Sequence, residues 1–482
     1  MTAARVAVAV VTSVVLMVAA SIGRTTAVVY VLAYVAATLP GWPIGFGLFG
    51  RRHAAGWIAG ALLGYGITAL ALWVPIVAGA PGSLTFGAAW TLVTVGSWTM
   101  FRSARRPAVD LPAWTERDTV GLCAVVLIVP LLVAVPYGRI GESDAQGNRR
   151  YRAYFTADFV WHEALTAELA RFSAPPKNPY LAGRSLHYYW AYFLLPASIT
   201  GAGPARMHSP PIETYLATNG LCTGILFVAA IYLGAWSALP RAAIAAVASA
   251  LVLLTSSGEG LYATLDLLKR GRALSGLRNL NIDAITSWYF HGLTIDGLPR
   301  SIWYNPQHSL ACGLGLVALT IAGRSPAPMR STASVGAGMA LGLALIVSPF
   351  PGGAMTLIYG LVVLWTAAGT PRALPRAIGI QLLAVVPVLA ALAWCVFNKT
   401  FEGAGGAVVL GLSSSARTSP MQVISLALGP ILVWVIAGVF ASAAARFPRE
   451  LRPAIAGVAV SLGLLFFVTL SVEPIWIGWR AG

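Results

Sequence analysis

Fourteen apolar runs, each bounded by Arg, Pro or Gly, account for most of this chain. They fall at 5–23, 26–46, 55–79, 84–101, 118–136, 188–203, 212–236, 241–257, 302–323, 333–348, 353–369, 377–397, 421–445 and 454–470. A membrane-crossing helix needs roughly 20 apolar residues. Lipid cannot satisfy the backbone of an open strand, so the runs are read as helices. Composition agrees: 57% of residues are hydrophobic and 10% are charged, against about 25% charged in soluble domains. Soluble globular and disordered classes are thereby excluded, and the expected fold class is an all-α polytopic membrane protein.

Short basic turns orient such spans toward the cytoplasm. Arg51 and Arg52, then Arg102, Arg105, Arg106 and Arg117, are placed on that side. So are Arg241, Arg324 and Arg330, Arg372 and Arg376, and Arg446, Arg449 and Arg452. The polar segments 137–186 and 258–301 then lie outside. An even number of crossings must join them, yet three apolar runs lie between. Run 188–203 is short and ends in Pro196, Gly201, Gly203 and Pro204, so it is the one expected not to cross. Thirteen crossings follow, with a cytoplasmic N-terminus, in the cell's inner (plasma) membrane. The first run also has the form of a signal peptide; Val18-Ala19-Ala20 is a weak cleavage site, which favours a span.

The net charge of +16 is then a matter of topology rather than of nucleic acid, and no nucleic-acid partner is expected. Outer bases in long loops need another cause, such as an anionic ligand or headgroups of membrane lipids. Cys123, Cys222, Cys312 and Cys395 sit in apolar stretches without metal-like spacing and read as small buried hydrophobes.

The first outer segment carries the chemistry. Residues 156–172 have helical periodicity, with Phe159, His162, Leu165, Thr166 and Leu169 on one side. Asp158 and His162 are four apart and share a face. Glu163 and Glu168 are expected in solvent. Pro175-Pro176 ends the helix, Asn178-Pro179 and Ala182-Gly183 make turns, and His187-Tyr188-Tyr189-Trp190 is expected to form an aromatic shelf at the membrane surface.

An acidic residue and a His on a helix, then Pro175-Pro176, Asn178-Pro179 and Leu181-Ala182-Gly183, then Tyr188-Tyr189 before an apolar run, resemble the signature of the YYY-type prokaryotic membrane proteins. Those proteins look like members of the GT-C class of integral-membrane glycosyltransferases. The likeness covers about 135–240 well and the remainder through its pattern of spans. It implies N-terminal transmembrane helices over 1–117 and a GT-C-like core over 118–482, with outer loops 137–211 and 258–301. Four spans are expected before that core and no soluble outer domain after the last one, two departures from the class.

The resemblance implies transfer of a sugar, hexosyl or pentosyl, from a polyprenyl-phosphate donor to an envelope glycan, lipid or protein. In such chemistry a carboxylate deprotonates the acceptor hydroxyl and cations hold the leaving phosphate. Asp158 is the preferred base, or else a helix N-cap. Asp144 and Glu142 are its rivals, or else turn residues. His162 could orient Asp158 or simply pack. Asp158, His162 and His187 could also hold a divalent metal, although no metal signature is present and no cofactor is otherwise implied. Arg149, Arg150 and Arg152 suit phosphate oxygens or anionic headgroups. Lys177 and Arg184 flank the Pro-rich turn, where either could reach a donor phosphate or else stand in solvent. In the second outer segment Arg300, Tyr304, Asn305, Gln307 and His308 stand at the mouth of the next span, where polar groups are expensive unless they face a cavity or the protein interior. Arg300 is the preferred phosphate ligand there. Tyr188, Tyr189, His187, Tyr304, Gln307 and His308 complete the expected substrate-lining set. A transporter or lipid flippase, and a non-catalytic scaffold with a GT-C-like frame, are the alternatives.

Overall fold

The computed structural model describes residues 2–101, 106–138, 140–151, 158–181, 183–202, 212–254, 258–279, 298–326, 329–369, 372, 374–400, 406–413, 417 and 420–472. The expected Arg102, Arg105, Arg152, Gly203, Pro204 and the stretch 280–297 fall outside them.

The chain is predominantly helical. Helices α1 (Ala3–Thr38), α2 (Trp42–Phe49), α3 (Ala54–Val77), α4 (Ser83–Phe101), α5 (Glu116–Val126) and α6 (Ile128–Tyr137) take up the first five apolar runs. Then come α7 (Asp158–Leu169), α8 (Leu194–Ala202), α9 (Ile212–Ala238), α10 (Ala242–Leu254), α11 (Glu259–Lys269), α12 (Leu298–Trp303), α13 (Pro306–Arg324), α14 (Ser331–Val347), α15 (Pro349–Ala368), α16 (Leu374–Phe397), α17 (Gly429–Ala444) and α18 (Arg452–Phe467). Two small antiparallel pairs are added: β1 (Glu142–Ser143) with β2 (Arg149–Arg150), and β3 (Val408–Leu410) with β4 (Val468–Leu470). Among the described residues, seven helices are long and apolar enough to cross a membrane.

Helix α1 is interrupted where Gly23 and Arg24 leave helical geometry, at φ −152° and +52°. Gly23 lies against the Thr214 side chain at the start of α9, an approach that a Cβ would block. The interruption falls between the first two apolar runs. The segment Ala3–Phe49 has 47 residues, so one straight helix of that length would measure about 70 Å, far beyond a roughly 30 Å hydrocarbon core. Run 188–203 becomes a short 3-10 turn, Ala191–Phe193, followed by α8. Its nine-residue helix is about 14 Å long, too short to cross.

The two ends of the bundle differ in chemistry. At one end the basic turns touch each other. Arg330 donates to the carbonyl of Pro107 at 2.7 Å, Arg449 to those of Gly323 and Arg324, Arg324 to that of Ser237, and Arg452 to Thr366 Oγ1. At the other end the polar segments meet. Tyr137 donates to the carbonyl of Trp303, Tyr151 to Glu213, and His187 reaches the carbonyl of Lys399.

Between the ends lies a buried polar knot. Tyr30 and Tyr65 donate to Asn219 Oδ1 at 3.0 and 3.2 Å, and Tyr34 and Tyr192 lie 3.0 and 3.1 Å from Thr223 Oγ1. These groups come from α1, α3, α9 and the turn before α8, so the knot locks those elements in register. Trp190 is wedged between Trp73 and Trp394 and is fully buried. It is a core anchor, not part of a surface shelf. Of the four cysteines, Cys312 is only partly buried and the others are buried; all four are free thiols.

Candidate functional site

Helix α7 organises the polar end. It runs over Asp158–Leu169, and its last turn tightens as the N–H groups of Arg171 and Phe172 bond to the carbonyls of Glu168 and Leu169. Phe172 then takes a positive φ of 56°, which ends the helix three residues earlier than periodicity suggests. The five residues expected on one face, Phe159, His162, Leu165, Thr166 and Leu169, are all buried. Asp158 is half-buried in the first turn, where a carboxylate is favoured by the helix dipole.

His162 links the two outer segments. Its Nε2 lies 3.3 Å from the Tyr188 hydroxyl and 3.3 Å from Gln307 Nε2, and its ring packs on Phe193. Gln307 also donates toward Asn305 Oδ1 at 3.4 Å. Tyr188 and Tyr189 are stacked, with centroids 4.1 Å apart and planes inclined by 21°. Trp161 meets Tyr188 edge-on, and Tyr189 reaches His308. His308 Nδ1 lies 2.6 Å from Ser348 Oγ. Ser348 is the single residue separating α14 from α15, and Pro349 opens the first turn of α15.

His162, Tyr188, Tyr189, Asn305, Gln307 and His308 thus form one cluster, with Tyr304 buried in the turn just before α13. Asp144, Lys177 and Arg184 make other contacts. Asp144 holds the β1–β2 turn, its Oδ1 accepting from the backbone of Gln146 and Asn148 at 3.0 and 2.8 Å. Lys177 and Arg184 are exposed, and their backbones close the Pro-rich turn. Arg150 and Arg300 are described as backbone only, in β2 and α12, and Arg152 lies outside the described residues. His187 is exposed and faces Lys399, whereas His162 is buried. No group of three or more His, Cys, Asp or Glu able to hold a metal occurs among the described residues.

The opposite side of α7 corrects an expectation. Glu163 and Glu168 are not solvated. Glu168 is buried and accepts from Ser173 and from the Lys177 backbone, tying the Pro-rich loop to the helix. Glu163 faces Tyr151, whose hydroxyl lies 3.2 Å from Glu163 Oε2 and 3.0 Å from Glu213 Oε1. Arg149 pairs with Glu213. The sequence reading missed Glu213; its signal was a lone carboxylate in the first turn of an otherwise apolar span.

One hydroxyl proton cannot serve two carboxylates at once. Arg149 pairs directly with Glu213, so Glu163 is the member whose ionised form is less compensated. Burial pushes the Glu163 carboxyl up to about 7, against weaker opposing pulls from Tyr151 and Arg149. Burial, reinforced by Glu163, pushes the Tyr151 phenol up to about 12. Because the folded state favours protonated Glu163, its contribution to stability is present below the ordinary value of 4.5 and is lost as pH rises through about 7. Thermal unfolding in detergent between pH 4 and pH 8 should show this decline, and Glu163→Gln should flatten it. Equal slopes in the two proteins would mean that folding leaves the Glu163 carboxyl at its ordinary value.

No protein-family model matches the chain, and no curated protein or solved structure matches it.

Proposed function

We propose that the chain transfers a sugar from a polyprenyl-phosphate donor to an acceptor hydroxyl at the outer face of the plasma membrane, on a GT-C-like frame with thirteen crossings. The observation that carries this is the contact of His162 with Tyr188 and Gln307, residues 26 and 145 positions away. It joins the carboxylate-bearing helix of one polar segment to the polar mouth of a span in the other. The count of crossings draws support from the break at Gly23–Arg24, which divides the first long segment in two, and from the shortness of α8. The orientation rests on the basic turns gathered at the far end, which favour the cytoplasm.

In the proposed reaction Asp158 takes the proton of the acceptor hydroxyl. The acceptor oxygen bonds to the anomeric carbon, the bond from that carbon to the phosphate oxygen breaks, and polyprenyl phosphate leaves. Arg150, Arg152 and Arg300 are the proposed phosphate ligands, chosen because guanidinium groups match phosphate oxygens in pairs. Tyr188 and Tyr189 offer stacked rings on which a sugar face can rest. The direct test is release of polyprenyl phosphate from a radiolabelled polyprenyl-phosphate hexose or pentose by the purified protein with an acceptor glycan. No release above that in empty detergent micelles, across both sugars, would reject the proposal. A transporter draws support only from the number of spans.

A further inference from the structure

We propose that the basic end holds a second ligand site, occupied by one phosphate-bearing phospholipid of the cytoplasmic leaflet. A groove of about 420 Å³ runs down the bundle between α9, α10, α13, α15 and α18. Its walls are apolar, with Phe227, Ile231, Leu316, Leu319, Met355 and Pro453 among them. At its basic end the lining changes to Ser237, Thr320, Arg324 and Glu450. On α9 the groove extends from Phe227 to Ala238, about 17 Å of helix. Half of a roughly 30 Å hydrocarbon core is about 15 Å, so the apolar part has the length of one leaflet.

Charge decides which lipid fits. Arg324 donates to the Ser237 carbonyl, but its Nη1 stands 3.7 Å from Glu450, beyond hydrogen-bond reach, and its buried Nε has no acceptor among the described residues. Arg449 is clamped beside it on the carbonyls of Gly323 and Arg324. Arg452, two residues past Glu450, lies over the Trp365 ring, and its buried Nε also has no acceptor among the described residues. Three guanidinium groups, those of Arg324, Arg449 and Arg452, thus gather at this end against the one carboxylate of Glu450. A zwitterionic headgroup would leave that excess uncompensated, whereas a phosphodiester with no positive partner compensates it. A free phosphate would leave the apolar groove unused. Nothing in this site depends on the transfer chemistry at the opposite end.

The test titrates the full chain in neutral detergent with phosphatidylglycerol carrying a fluorescent acyl chain. Unlabelled phosphatidylglycerol should displace the probe, while phosphatidylcholine and inorganic phosphate at the same concentration should not. Arg324→Gln should weaken binding by about tenfold or more. Gly234→Leu probes the groove without touching a charge. A Cβ at Gly234 meets only the Leu316 side chain, at 3.8 Å, and leucine is a better helix former than glycine. It should keep the fold and weaken binding by at least about as much. Wild-type affinity in a folded Gly234→Leu protein overturns the proposal. So does full displacement by phosphatidylcholine, which would leave an unselective groove, or by phosphate, which would leave an arginine site without a lipid.

Discussion

Asp158→Asn is expected to reduce sugar transfer by about 10²- to 10⁴-fold, the range that general-base catalysis supplies, while membrane insertion and unfolding temperature stay at wild-type levels. The exchange is close to isosteric, but an amide cannot accept the acceptor's proton at neutral pH. It also separates the two roles open to this residue. Asn caps a helix about as well as Asp, so a purely structural Asp158 would leave transfer intact. The residue is half-buried in the first turn of α7, so the amide is not forced into a dry, unsatisfied position. Release of labelled polyprenyl phosphate gives the rate, and the yield of folded protein in membranes gives the control. Full activity in Asp158→Asn would remove Asp158 from the mechanism and direct attention to Glu163, whose elevated carboxyl would give a rate that climbs with pH through about 7.

What was legible in the sequence was legible for a simple reason: local periodicity and lipid thickness act on neighbouring residues. The buried face of α7 follows from 3.6-residue spacing. Glu163 shows where this stops. Its place on the helix is set by periodicity, but its surroundings come from Tyr151 and Glu213, 12 and 50 residues away, and no local pattern reports them. The same holds for Trp190, which looks like an interfacial aromatic until Trp73 and Trp394 enclose it. Asn219 lies inside an apolar run, and only the approach of Tyr30 and Tyr65 reveals it as the centre of a polar knot. Gln307 and His308 were marked out by the cost of polar groups at a span's mouth. Their meeting with His162 and Tyr189 is a tertiary event that this cost alone could not locate.

That meeting gives the second large effect. Gln307 has no solvent exposure and bridges His162, Tyr188 and Asn305. Gln307→Leu keeps most of the volume and removes the bridge. The His162 ring and the Tyr188 hydroxyl then lose their hydrogen-bonded tie to α13, and only the Tyr189–His308 ring contact still links the stack to that helix, so the two halves of the proposed site are held less firmly. A misplacement of about 1 Å can lower a rate by about 10²-fold, and a loss of that size in kcat/KM is expected here. Gln307 is a positioning residue in this account, so the deciding measurement is its coupling to His162. If they act through their contact, His162→Ala and Gln307→Leu together should cost little more than either alone, a non-additivity of about 0.5–3 kcal/mol. A purely structural Gln307 would lower the unfolding temperature and the yield but leave kcat/KM per folded molecule unchanged. Two losses that simply add would mean that the residues serve separate functions, and the joining of the two outer segments would then have no part in the chemistry.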